Sequence, residues 1–73
     1  MKLSIINYED KVSAEIYTLK TRNNFEYEII INHEMHETII FDKQSERILS
    51  TIYGVYLNVA LVELNQFIRL WQT

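Results

Sequence analysis

From Asp42 to Trp71 the chain has no proline, a single glycine and an apolar residue at nearly every third or fourth position. This run constrains the fold more than any other feature. Leu49, Ile52, Tyr53, Tyr56, Ala60, Leu64, Phe67 and Trp71 recur as one face of a 3.6-residue repeat does, which predicts one long amphipathic helix over about 43–71. Asp42 or Ser45 can cap its first turn, and Glu46 near the start and Arg69 near the end complement the helix dipole. Gly54 inside such a helix costs about 1 kcal/mol against alanine, so a kink or a close packing contact is expected there.

The polar side of this helix is narrow. Arg47, Thr51, Gly54, Asn58, Asn65, Arg69 and Gln72 fall on one stripe. With Leu49, Tyr53, Tyr56, Ala60, Leu64, Phe67 and Trp71 turned to a sheet, Ile48, Ile52, Val55, Val59 and Val62 remain as a second apolar row. A helix lying on one sheet needs a stripe only a little over about 100° wide. The excess predicts a homodimer through the helix flank, since monomers rarely expose such a row and two-fold dimers are the commonest oligomer. Glu63 lies inside the apolar arc, where a carboxylate needs a partner or an edge position that reaches water. A tyrosine hydroxyl or an arginine across the interface is one such partner.

The front half reads as short strands over about 2–7, 12–21, 25–32 and 35–41. Glu9-Asp10-Lys11 is expected as the first turn, and residues 12–21 are also compatible with a helix from Ser13. Asn23-Asn24 is a good tight-turn pair, because asparagine tolerates positive φ. The clearest strand alternates Phe25, Tyr27, Ile29 and Ile31 with Glu26 and Glu28. Short links demand antiparallel neighbours. The expected fold is therefore α+β, a single domain over 1–73: an antiparallel three- to four-stranded β-meander followed by one long C-terminal helix packed on it. This β4α order resembles, in topology alone, a fold used by single-stranded-DNA-binding dimers; that resemblance implies a lysine-rich sheet, which this chain lacks.

Composition narrows the function classes. A chain of 73 residues without cysteine has neither disulfides nor a cysteine-rich metal site, which leaves oligomerisation as a stabiliser. The net charge of −3 disfavours binding driven by phosphate neutralisation. Lys2, Lys11, Lys20, Arg22 and Lys43 are the scattered candidates for a nucleic-acid reading. The uncharged run 48–62 is too short to span a bilayer and no signal peptide is visible, so a cytoplasmic location is expected. With one glycine and no cysteine nucleophile, serine elbow or phosphate loop, no enzymatic motif is present, and no cofactor is expected.

Among candidate sites, His33 and His36 with Glu34 and Glu37 carry metal-ligand chemistry. Their spacing of three differs from the zinc-helix spacing of four, and a solvated hairpin end is the reading adopted. Glu15, Glu26 and Glu28 are expected to form an acidic face, either a docking patch for a basic partner or the solvated side of a sheet. The aromatic residues are assigned to the core rather than to base stacking. The resulting expectation is a small, non-enzymatic, acidic interaction protein. It would be a homodimer that binds and inhibits or modulates another protein, with a composition associated with phages and mobile elements. A single-stranded nucleic-acid-binding module and an accessory subunit of a larger complex are the alternatives.

Overall fold

A computed structural model describes residues 3–71, with side chains through Leu70. The expectations for Lys2, Gln72 and the Trp71 side chain lie outside the described residues. Five strands are followed by one helix: β1 (Ser4–Lys11), β2 (Ala14–Lys20), β3 (Glu26–Asn32), β4 (Glu37–Asp42), β5 (Arg47–Tyr53) and α1 (Leu57–Trp71). The strands pair antiparallel in chain order, so the sheet is a pure meander with β3 at its centre. The α+β class and the C-terminal helix agree with the sequence reading. The sheet has five strands where three to four were expected, and the helix is shorter.

Alternation along the middle strands builds the core. Opposed residues of antiparallel strands share a face. The register Leu19↔Tyr27, Tyr17↔Ile29, Ile29↔Ile40 and Ile31↔Thr38 therefore puts one apolar set on the helix side. Leu19, Tyr27, Ile29, Ile31 and Ile40 are buried there against Ala60, Leu64 and Ile68 of α1. Each aliphatic side chain of this size contributes about 1.5–3 kcal/mol when fully buried. Ala60 and Leu64 meet the sheet as expected and Ile68 joins them, while Tyr53 and Tyr56, expected at the sheet contact, precede the helix and are exposed.

The helix expected over 43–71 begins at Leu57, because residues 47–53 form β5. Two local features disguised that strand. The register steps from Ile40↔Ser50 to Phe41↔Ile48, leaving Leu49 as an extra residue in β5. This β-bulge breaks the period-two pattern and leaves apolar residues at 48, 49, 52 and 53, which imitates helical spacing. Asp42 does cap backbone N–H groups, but those of a hairpin turn. Its Oδ1 accepts from the N–H groups of Gln44 at 2.9 Å and Ser45 at 3.3 Å. Asn32 does the same one hairpin earlier, its Oδ1 accepting from the Met35 N–H at 3.0 Å. Both four-residue turns end on a left-handed residue, His36 (φ 51°) and Glu46 (φ 57°). Asn24 (φ 67°) supplies the positive φ of the β2–β3 turn, as its residue type suggested. Glu9, Asp10 and Lys11 belong to β1, and the first turn is Val12-Ser13.

Gly54 ends β5 rather than kinking a helix. Its φ of +144° is strained for any other residue, and an added Cβ would collide with the Tyr56 ring. The chain then turns onto the sheet under the hold of one buried side chain. The Thr38 hydroxyl, fully buried on β4, donates to the Gly54 carbonyl at 2.7 Å and accepts from the Tyr56 N–H at 3.2 Å. Tyr56 in turn opens the helix, its carbonyl accepting from the Ala60 N–H.

Two predictions follow from this connection. Thr38→Val keeps the volume but removes the partner of the part-buried Tyr56 N–H and Gly54 carbonyl, and should cost about 1–2 kcal/mol in urea unfolding. Gly54→Ala should cost about 1–3 kcal/mol through backbone strain. Adding Tyr56→Ala removes the ring contact but should leave most of that loss in place. Full recovery in the double variant would show that the ring, not φ, imposes glycine.

Candidate interaction surface

The helix covers one side of the sheet, with its contacts on β3 and β4. Among the described residues no element covers the other side. The same registers that build the core place Ile16, Ile30 and Ile39 side by side on that outer face, with Thr51 continuing the row on β5. One row further along, Thr18, Glu28, Phe41 and Ile48 lie next to one another. Ile16, Ile30, Ile39 and Phe41 are half-buried by one another, and Ile48 is 59% exposed. Sequence reading missed this surface. It took the acidic residues of β3 as the character of the whole face, although Ile30 already broke the glutamate alternation.

The expected acidic face does not form as drawn. Glu15 opposes Ile31 and therefore lies on the helix side, away from Glu26 and Glu28. Glu26 pairs with Lys43 at 3.3 Å, and its backbone is clamped by the Gln44 side chain. Glu28 remains as a carboxylate bordering the apolar rows.

The six residues expected at a helix flank are dispersed by the true helix start. Ile48 belongs to the outer sheet face. Ile52 opposes Thr38 and packs on the core. Val55 lies in the connection to the helix. Only Val59 and Val62 remain as an exposed flank of α1, 49% and 59% exposed, beside a shallow groove shared with Asn58, Gln66 and Phe67. Glu63 borders that groove, and its carboxylate accepts a short hydrogen bond from the Ser50 hydroxyl of β5. Its partner is therefore within the chain, where the sequence reading offered a group across an interface or an edge position that reaches water.

His33 and His36 sit in the β3–β4 turn. Among the described residues no group of three histidine, aspartate or glutamate side chains could hold a metal ion. His33 instead joins a polar cluster on the helix side of the sheet, beyond the helix. Its Nε2 lies 2.5 Å from Glu15 Oε2, while Glu15 Oε1 accepts from the Tyr17 hydroxyl at 3.0 Å and the Tyr8 hydroxyl at 3.1 Å. The Tyr8 and Tyr17 rings lie 4.8 Å apart, tilted by 41°. The hydrogen bond from His33, then that from Tyr17, holds the Glu15 carboxyl below the usual carboxylate range. The Tyr8 phenol is pushed up to about 12 by desolvation and by the Glu15 carboxylate that accepts its hydrogen bond. Tyr8 is 46% exposed, so the carboxylate is the more persuasive of these causes.

No helix among the described residues is long and apolar enough to cross a membrane. Comparison of the chain with protein-family models, with characterised proteins and with solved structures returns no match.

The cluster makes a pH prediction. A carboxyl held below its unfolded value stabilises above the ordinary carboxylate pKa, and that contribution disappears as pH falls through the folded value. Glu15→Gln should therefore flatten the acid limb of urea midpoints between about pH 2 and 5. In the same variant the Tyr8 phenol, followed by absorbance with Tyr8→Phe as the blank, should titrate below about 12. An unchanged Tyr8 midpoint would mean that Glu15 does not hold the phenol proton.

Proposed function

We propose that this chain is a small non-enzymatic protein-interaction module, a homodimer that binds another protein and inhibits or modulates it. The observation carrying this reading is that apolar side chains are left uncovered on both layers of a two-layer molecule. Ile16, Ile30, Ile39, Phe41 and Ile48 lie on the outer sheet face, and Val59 and Val62 on the outer helix flank. Monomers rarely keep contiguous apolar patches in water unless a partner uses them. Nucleic acid is the poorer fit. Lys43 is paired with Glu26 and Lys11 with Glu9, and Glu28 adds an unwanted charge beside the apolar rows. A phage or mobile-element origin, with a host factor as target, is consistent with the composition.

The test is capture from a lysate of the source organism or its host, with immobilised wild type and the Val59→Glu/Val62→Glu double variant side by side. The reading expects at least one protein held in near-stoichiometric amount by wild type and reduced at least about tenfold by the variant, since each lost apolar anchor is worth about 1–2 kcal/mol or more. Equal capture by both chains, or none by either, would count against it. Both sites are exposed, so the variant's circular dichroism should be unchanged.

A further inference from the structure

We infer that the outer sheet face is covered by a second copy of this chain, packed face to face about a two-fold axis that runs along the Ile16–Ile30–Ile39–Thr51 row. This rests on the proposed interaction role and assigns one of its two surfaces, leaving the Val59 and Val62 flank of α1 for a different protein.

Geometry favours the face over the edges. Both edge strands carry a bulge. Leu49 is extra in β5, and Ile6 is extra in β1, where Ile5↔Leu19 is followed by Asn7↔Thr18. Bulges and the charged run Glu9-Asp10-Lys11 blunt an edge against pairing with another chain. The face approaches the size a specific interface needs. Five strands span about 19 Å and seven residues about 23 Å. Two copies stacked about 10 Å apart would remove roughly 900 Å² from water before side-chain relief is counted, near the ~1,000 Å² that a specific interface needs.

Charge chooses the axis. A two-fold along β3 would set Glu28 against Glu28 of the second copy. A two-fold along the isoleucine row instead lays the Thr18–Glu28–Phe41–Ile48 row over the Ala14–Asn32–Glu37–Tyr53 row. It also sets Glu9, which opposes Ile16, against its own counterpart, but on the edge strand β1, where Glu9 is exposed and paired with Lys11 at 3.7 Å, rather than at the centre of the sheet. Glu28 then meets an amide, Asn32. Ile48, 59% exposed, meets Tyr53, 85% exposed. Phe41 lies over the stem of Glu37, whose carboxylate sits at the strand end, within reach of water. Each isoleucine of the row stacks on its own counterpart, so one surface is used twice.

The chain has no cysteine, so single-cysteine variants report position cleanly. Thr51→Cys marks the sheet face and Val62→Cys the helix flank, and both positions are exposed. Each is treated with a bismaleimide of about 10 Å span, matching the spacing of stacked sheets. The expected result is twice the monomer mass for wild type by light scattering at high micromolar concentration, with Thr51→Cys cross-linked at least about fivefold more than Val62→Cys. Ile39→Glu should shift the chain to monomer while keeping its circular dichroism. If that variant fails to fold, the cross-linking pair still decides. A monomeric wild type, or cross-linking as strong through Val62→Cys, overturns the proposal. Lysate capture that survives a monomeric result would leave the interaction role standing, so the two can fail separately.

Discussion

One helix has to cover five strands, and it is not wide enough. A 15-residue helix is about 22 Å long and about 10 Å wide, against a sheet about 19 Å across. It sits over β3 and β4, and the rest of the molecule accommodates that mismatch. On the β1 and β2 side of the same face, Ile5, Tyr8, Glu15 and Tyr17 lie beyond the helix. The ring pair and the His33–Glu15 contact fill that bare strip with groups that tolerate water. β1 is exposed along its whole length for the same reason. Among the described residues the opposite face has no second layer, yet it carries isoleucines at the centre of three strands.

The parts of this arrangement legible in the sequence were those with uninterrupted periodicity. β3 alternates Tyr27, Ile29 and Ile31 without a break, and its strand and its buried face follow directly. The asparagine turn at Asn24 and the C-terminal helical repeat through Ala60, Leu64 and Phe67 were equally plain. What failed was the boundary. A bulge at Leu49 turned a strand's alternation into helical spacing, and Asp42 offered a capping oxygen of the kind that begins helices as readily as it begins turns. The useful signal was the resemblance between Asn32-His33-Glu34-Met35-His36 and Asp42-Lys43-Gln44-Ser45-Glu46. Both are an Asx residue followed by four polar or flexible positions, and both close a four-residue hairpin. Reading the second as the first would have placed β5.

The error about surfaces had the same root. A helix running from 43 collects Ile48, Ile52, Val55, Val59 and Val62 on one flank, and a strand over 47–53 scatters them over three environments. Glu15 was grouped with Glu26 and Glu28 by charge. Strand parity alone would have separated it, since it shares a face with Tyr17 and Leu19. Glu63 was singled out as a carboxylate in an apolar arc, but Ser50 was invisible as its partner while that residue was counted as helical. The excess of apolar surface over what one helix–sheet contact consumes survived the correction, because it depends on composition and length rather than on the boundary.

That excess bears on stability as much as on partners. Small domains bury a modest share of their unfolded surface, and this one has neither a disulfide nor a cysteine-rich metal site to supplement it. Its core is a single layer between one helix and three central strands. Apolar residues on the outer face contribute little while they face water, and each becomes a stabilising contact once covered. For a chain with this layout, binding and folding are therefore linked by mass action: whatever covers the isoleucine rows raises the stability of the whole sheet, with the logarithm of its concentration over its dissociation constant. The connection held by Thr38 passes that gain to the helix. β4 carries the Thr38 hydroxyl on one face and Ile39 on the other, so an ordered β4 also fixes the point at which α1 begins.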